Sequence, residues 1–227
     1  MIKKKTTDSL IEKYSESNSS RVMLQLIPYI GTPIDTFIAG KGAQIQKSRI
    51  DDYLETITNR LNKIERKVEL EPSEELFDFM NMSFECVVRT RSKEKRDHFA
   101  SILVNQVSGD FKWEDAEFAF RILSSVEEVH LKILKSITEA RQFNGKRLVR
   151  LRSNGQRLAG EILPDSLTSL FPKLSLDKLT LICSELIAKG LITDEGIGHL
   201  SGGAMDCFVP TELADWFLEW VADQESE

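Results

Sequence analysis

The sequence predicts a mainly α-helical protein, in which an antiparallel helical bundle with one long amphipathic helix is followed by a smaller α+β unit. Two observations favour this class. In the first half of the chain, apolar residues recur at steps of three and four, the period of helices that bury one face. After residue 125, helical segments alternate with short β-branched segments and a glycine-rich stretch. We therefore expect a polar, mobile arm over residues 1–20, the bundle over 21–124 and the second unit over 125–227.

The strongest pattern is an apolar seam on a helix that we expect to run from near Ala43 to just before Pro72. Its members are spaced by four and three in turn, as in a heptad repeat, and the residues between them are polar. Such a helix is about 40 Å long. Helices from this chain or from another must cover the seam, and we predict a homo-oligomer formed through it. The seam residues are Ile50, Leu54, Ile57, Leu61, Ile64 and Val68.

Three shorter amphipathic helices are predicted to complete the bundle. Ser73 and Ser92 are expected to cap the second and third helices, because a serine hydroxyl accepts hydrogen bonds from the first backbone amides. Gly109 is expected to end the third. The expected inward-facing residues are Leu76, Phe77, Met80, Phe84, Val87 and Val88 in the second helix, Phe99, Ile102, Leu103 and Val107 in the third, and Phe118, Ile122 and Leu123, or Phe120 in place of one of them, in the fourth.

The most apolar window is Val22–Ala39, which is interrupted by Pro28, Gly31, Pro33 and Asp35. A transmembrane helix needs about 20 largely uninterrupted apolar residues, so we do not predict one here. Two interpretations stay open. The window is either an irregular segment packed against the bundle, or a segment that is released to insert into a membrane surface or a partner.

The order predicted after residue 125 is helix, strand, helix, helix, strand, glycine-rich tip, strand and helix. Ser125 and Glu128 have capping-box spacing and open the first helix. Lys146–Arg152 reads as a basic strand or hairpin arm around the turn Asn154-Gly155. The later elements are a helix over Ser175–Lys189, strands at Leu191–Thr193 and Cys207–Val209, and a last helix capped by Thr211. This is the order of a winged helix, and we predict a winged-helix-like domain.

Charge is divided unevenly along a chain whose formal net charge is −6. Up to Arg157 there are 27 basic and 23 acidic residues, and from Leu158 onward 3 and 13. The predicted recognition helix is neutral, and its wing carries Asp194, Glu195 and Asp206 without a basic residue. Attraction to phosphates supplies most non-specific affinity for DNA. A protein partner is therefore favoured over nucleic acid for this domain.

One basic strip contains no acidic residue, and it is our candidate anion-binding or nucleic-acid-binding site. Two interpretations stay open: it pairs with the acidic C-terminal third or with a second subunit, or it contacts nucleic acid or anionic lipid. Its residues are Arg141, Lys146, Arg147, Arg150, Arg152 and Arg157. A second, weaker basic cluster, diluted by Glu94 and Asp97, contains Arg89, Arg91, Lys93, Lys95 and Arg96.

No linear motif for catalysis or metal binding is present. The three histidines lie far apart, and none has a second ligand three or four residues away. Acid–base pairs assembled across a fold leave no such trace, so a catalytic site of that kind stays open. The three cysteines are predicted to be buried free thiols, which suits a reducing cytoplasm; they are Cys86, Cys183 and Cys207. We predict no catalytic residue, no metal, no cofactor and no small-molecule substrate.

Three stretches carry a resemblance to a known group. Ile27–Gly31 precedes a long charged helix, Arg91–Leu103 is charged and then apolar, and Thr211–Phe217 contains a Thr-Glu-Leu and Trp-Phe pattern. In these features the chain resembles a loose group of bacterial helical proteins with a C-terminal winged-helix-like unit, some of them similar to alpha-type abortive-infection phage-defence proteins. The resemblance implies an architecture and a defence context, and it carries no active residue over to this chain.

The sequence thus predicts a non-enzymatic, cytoplasmic protein-interaction or regulatory protein of bacterial anti-phage defence, oligomeric through the long helix. The competing hypotheses are a nucleic-acid-binding regulator that uses residues 141–157 and a membrane-active effector that uses residues 22–39.

Overall fold

The computed structural model describes residues 42–64, 73–109, 111–143, 145–152, 165–195 and 203–222. In these ranges the protein is mainly helical and has a small three-stranded antiparallel sheet in its C-terminal part. The predicted mainly α class is therefore confirmed. None of the described helices is long and apolar enough to cross a lipid bilayer. Several predictions fall outside the described residues: the arm over 1–20, the apolar window 22–39, Val68, Arg157, His199 and most of the glycine-rich tip.

The chain divides into two compact units. The bundle unit extends to Ser125 and also takes the chain from Trp220 onward, and the C-terminal unit is Val126–Glu219. The helices of the bundle unit are α1 (Ala43–Lys63), α2 (Glu74–Arg89), α3 (Lys93–Ser108) and α4 (Trp113–Ser124).

The four helices of the bundle unit run alternately up and down. The Arg49 guanidinium donates to the Val88 carbonyl, and the Tyr53 ring meets the Phe84 ring edge-on at 6.3 Å between centroids. Residue numbers therefore rise along α1 as they fall along α2, so these helices are antiparallel. The predicted caps are present, since the Ser73 and Ser92 hydroxyls accept from backbone amides three residues later.

A polar ladder joins α1 to α3. Its members on α1 recur every fourth residue, so they form one stripe on the helix surface beside the apolar seam. Arg96 of α3 is buried, with only 7% of its surface exposed, and its guanidinium also donates to the carbonyls of Thr90 and Arg91. The rungs of the ladder are Arg96 to Asp52 at 3.1 Å, Thr56 to Asp97 at 3.3 Å and Arg60 to Ser101 at 2.7 Å.

An aromatic cluster fills the space between α2, α3 and α4. The Phe120 ring lies 4.5 Å from Phe99 and 5.3 Å from Phe79, measured between ring centroids. Two sequence-based assignments need correction here. Phe77 and Phe118 were expected to face inward, but 38% and 41% of their surfaces are exposed. Each lies two positions from the phenylalanine that is buried, and two residues turn a helix by about 200°.

The first helix is shorter than its apolar pattern predicts. It begins at Ala43 as expected and ends at Lys63, where Ile64 has extended backbone angles. Its 21 residues span about 32 Å. Arg60 and Lys63 lie in the last turn, where cations stabilise the negative end of the helix dipole.

The C-terminal unit combines helices with short strands. The strands β3, β5 and β4 lie side by side in that order and are antiparallel, with Val149 opposite Phe208 and Thr193 opposite Val209. A separate two-stranded ribbon is formed by β1 and β2. The elements are α5 (Glu128–Thr138), β1 (Gln142–Phe143), β2 (Lys146–Arg147), β3 (Val149–Arg150), α6 (Leu167–Leu170), α7 (Leu176–Ala188), β4 (Ile192–Asp194), β5 (Cys207–Pro210) and α8 (Glu212–Val221).

Two local predictions for this unit are wrong in detail. Lys146–Arg152 is not one strand, because β2 pairs backward with β1 while β3 pairs with the distant β5. The tight turn lies between Phe143 and Lys146, and there Gly145 has a φ of +78°, which favours glycine. Helix α5 begins at Glu128, and its N-cap is Glu127 rather than the predicted Ser125. The Glu127 amide donates to the His130 ring and so closes the first turn, while Val126 is buried before the helix.

Candidate functional site

The candidate oligomer seam on α1 is covered by the chain itself. Ile50, Leu54 and Ile57 are at most 1% exposed and Leu61 is 8% exposed, in the single chain. The packing partners of α1 are α2 and α3. Ile64 is half-buried beyond the helix end. These side chains are therefore not free to meet a second copy, which corrects the assignment of this seam to an oligomer interface.

The basic strip is divided between two sheets, and half of its members form ion pairs inside the C-terminal unit. All three acidic partners come from the acidic C-terminal third. The pairs are Lys146 with Glu195 at 3.0 Å, Arg147 with Asp215, and Arg150 with Asp206 at 3.3 Å. Arg141 and Arg152 are exposed. Half of the strip's cations are thus balanced locally, and so are two of the acids expected on the wing, Glu195 and Asp206.

The pair of Arg147 and Asp215 is bidentate, with one Nη1–H donating to Oδ1 at 2.8 Å and the second nitrogen donating to Oδ2. Arg147 also donates to the Thr138 carbonyl at the end of α5. The guanidinium lowers the pKa of the Asp215 carboxyl, and hydrogen bonding to Asp215 raises the pKa of Arg147. This fork ties strand β2 to helices α5 and α8.

Asp215→Asn is expected to reduce stability at neutral pH by up to about 1 kcal/mol, because both side chains are more than a third exposed and solvent screens the pair. A carboxyl whose pKa is lowered by folding stabilises the protein above its unfolded pKa, near 3.8. That contribution is lost as the pH falls through the folded pKa. The difference between wild type and variant in urea unfolding should therefore shrink below a pH of about 4. A difference that persists at lower pH would exclude this pair as its source.

A buried histidine joins α5 to α7. His130 is 6% exposed, and its Nδ1 accepts from the Glu127 amide at 3.1 Å. An accepting Nδ1 carries no proton, so the proton lies on Nε2, which donates to a Glu185 carboxylate oxygen at 2.6 Å. The arrangement positions α7 and leaves His130 no lone pair for a metal. Within the described ranges, no group of three or more histidine, cysteine or acidic side chains converges as a metal site.

The thiols are free, as predicted, but only Cys183 is fully buried. Burial raises the pKa of the Cys183 thiol to about 12, and burial also raises the pKa of Cys207. Both thiols are therefore protonated at neutral pH and are poor nucleophiles. Cys86 lies 3.5 Å from the Ser124 hydroxyl, within the bundle unit.

The outer face of α7 carries the most exposed large apolar side chain among the described residues of the C-terminal unit. It includes Leu181, which is 58% exposed, and α6 packs beside α7 with Leu170 44% exposed. The exposed side chains of α7 recur at steps of three and four and include one basic residue. They are Asp177, Lys178, Leu181, Ser184, Glu185 and Ala188.

Leu181 was missed by the sequence-based reasoning, although a signal was available. It is an apolar residue at the spacing of the polar positions Asp177, Ser184 and Glu185. The His130–Glu185 and Arg147–Asp215 pairs leave no such signal in the sequence, since 55 and 68 residues separate the partners.

A comparison with protein-family models, curated proteins and solved structures finds no match to this chain.

Proposed function

We propose that this chain is a non-enzymatic interaction protein, and that its C-terminal unit is a winged-helix module. The support is topological. Apart from the β1–β2 ribbon that follows α5, the element order is α5, β3, α6, α7, β4, β5 and α8, and the strand order of the sheet is β3, β5, β4. In that arrangement α7 occupies the position of the recognition helix, which in DNA-binding relatives of the motif enters the major groove.

The partner that we propose for α7 is a protein. The observation that carries this proposal is the composition of the outer face of α7, where Leu181 is exposed beside two acidic residues and a single lysine. A DNA-binding face needs cations to replace the counterions of the phosphates. The arginines that could supply them on β2 and β3, Arg147 and Arg150, are paired with Asp215 and Asp206. An exposed aliphatic side chain rimmed by polar groups instead suits a protein interface.

The test places a photocrosslinking residue at Leu181 in the cells that express the protein, with a matched placement at Glu139, the exposed C-cap residue of α5. We expect a discrete adduct at position 181 that is destroyed by protease and resists nuclease, and none at position 139. Equal adducts at both positions, or an adduct that nuclease destroys, would contradict the proposal.

The competing nucleic-acid hypothesis is tested with a fluorescent DNA duplex at low ionic strength. We expect weak binding that the double variant Arg141→Glu with Arg152→Glu leaves unchanged, although these are the exposed members of the basic strip that form no ion pair with a described residue. Tight, salt-sensitive binding that this variant abolishes would favour the nucleic-acid regulator instead.

Self-association of the chain stays a prediction from the sequence. The buried seam of α1 does not provide a surface for it.

The defence context is proposed on the resemblance alone. It is tested by phage plating on bacteria with and without the protein. If α7 recruits the partner, Leu181→Asp abolishes protection while the variant still accumulates to the wild-type level. Equal plating in the presence and absence of wild-type protein would remove the defence proposal.

A further inference from the structure

We propose that one end of the bundle unit is a docking surface for an anionic membrane. The surface, called here the basic end, consists of Arg89, Arg91 and Lys93 in the turn between α2 and α3, with Ile45 on the first turn of α1. It shares no residue with α7, for which a protein partner is proposed.

The three cations of the basic end are all exposed, and none has an ion pair with another described residue. In the sequence they belong to a cluster that contains both basic and acidic residues, and the fold turns only some of these residues toward solvent. Arg96 turns inward and binds Asp52 at 3.1 Å. Asp97 accepts from Thr56 of α1. Glu94 stays exposed and keeps its charge beside the Ser92 hydroxyl, so the exposed residues of the turn include three cations and one carboxylate. The exposed remainder of the turn is therefore predominantly basic.

The first turns of α1 lie beside this turn. The Arg49 guanidinium reaches the Val88 carbonyl, next to Arg89 at the end of α2. Ile45 lies one turn before Arg49 and is 60% exposed, the largest exposure among the described large apolar side chains. An apolar side chain is thus presented near the cations.

The two ends of the bundle unit differ in charge. The rings of Phe79 and Trp113 lie 5.7 Å apart and bring the starts of α2 and α4 together, at the end opposite the basic turn. The exposed residues of these two starts include one cation, Lys112, the apolar Phe77, and five acids, which are Glu74, Glu75, Asp78, Glu114 and Asp115. A negative surface therefore attracts one end of the unit and repels the other, which orients the unit as it approaches.

A lipid surface fits this combination better than nucleic acid does. A clustered set of Arg and Lys is attracted to anionic headgroups by about 1 kcal/mol for each residue near the surface. The exposed Ile45 side chain gains free energy by entering the boundary of the acyl region. The phosphate backbone of a nucleic acid offers an apolar side chain no such gain.

The experiment is co-sedimentation of the full chain with phosphatidylcholine vesicles that contain or lack phosphatidylglycerol. We expect binding only to the anionic vesicles, and weaker binding as salt is added. The triple variant Arg89→Glu, Arg91→Glu, Lys93→Glu should lower the partition coefficient by about 100-fold. Ile45→Asp should lower it as well, since it removes the apolar contact.

The matched control is Lys112→Glu, Lys135→Glu, Lys173→Glu, which changes the net charge equally at exposed positions that do not belong to the basic end. It should keep the wild-type partition coefficient, and circular dichroism should show equal helix content in both triple variants. Three results would overturn the proposal: no binding to anionic vesicles, an equal loss in the control variant, or tighter binding of the basic end to a DNA duplex than to vesicles. None of these results bears on crosslinking at Leu181, so the two proposals fail separately.

Discussion

Ile57→Ala is expected to lower the free energy of unfolding by about 2–5 kcal/mol and to leave the mass of the protein in solution unchanged. Ile57 is completely buried in the single chain, on the face of α1 that α2 and α3 cover. Truncation removes apolar contacts and leaves a cavity that the packed helices fill only in part. Urea unfolding measures the first quantity and analytical ultracentrifugation the second.

The control for this prediction is Asn59→Ala, an exposed position on the same helix. It should change the free energy of unfolding by less than about 1 kcal/mol. The opposite pattern, in which Ile57→Ala leaves stability intact and dissociates an oligomer, would restore the seam as an interface between copies.

Phe120→Ala is expected to cost about 3–5 kcal/mol of unfolding free energy. The Phe120 ring is fully buried between Phe79 and Phe99, so its loss removes two aromatic contacts and opens space shared by α2, α3 and α4. Thermal and urea unfolding should both report the loss.

Phe118→Ala on the same helix provides the comparison. Phe118 is 41% exposed and has the Arg121 guanidinium 5.9 Å from its ring centre. Its truncation should cost less than about 1 kcal/mol. Similar losses in the two variants would mean that α4 presents a different face to the bundle from the one described.

The helices and their ends could be predicted because their signals are local. Ser73 and Ser92 accept hydrogen bonds from amides three residues away, and Gly109 follows α3 as its C-cap. The face of each helix was harder to assign in aromatic-rich segments. In α4, Phe118 and Phe120 are chemically equivalent in the sequence, and only the positions of Phe79 and Phe99 on other helices decide which one is buried.

The strands could not be placed in the same way, because their partners are distant. Asn-Gly occurs in the sequence at residues 144–145 and at 154–155. The first of these links β1 to β2, and the second lies outside the described residues. β3 is defined by its pairing with β5, and Val149 and Phe208 are 59 positions apart in the sequence. Local turn propensity contains no information about a partner at that separation.

The candidate sites show the same limit. The opposite charges of the basic strip and the acidic C-terminal third were visible in the sequence, and the two alternatives for the strip followed from them. Which cation meets which acid was not visible. Arg150 binds Asp206 while Arg152 remains exposed, because β3 brings only the first of these two beside β5.

The ladder between α1 and α3 determines how far one helix can slide along the other. An apolar seam tolerates a slip of one turn, since one aliphatic residue replaces another at nearly the same place. A slip would take Asp52 away from Arg96 and leave the buried Arg96 cation without its counterion, which is unfavourable. Asp52 therefore sets a single axial offset for α1, and Asp52→Asn should loosen that offset before it unfolds the bundle.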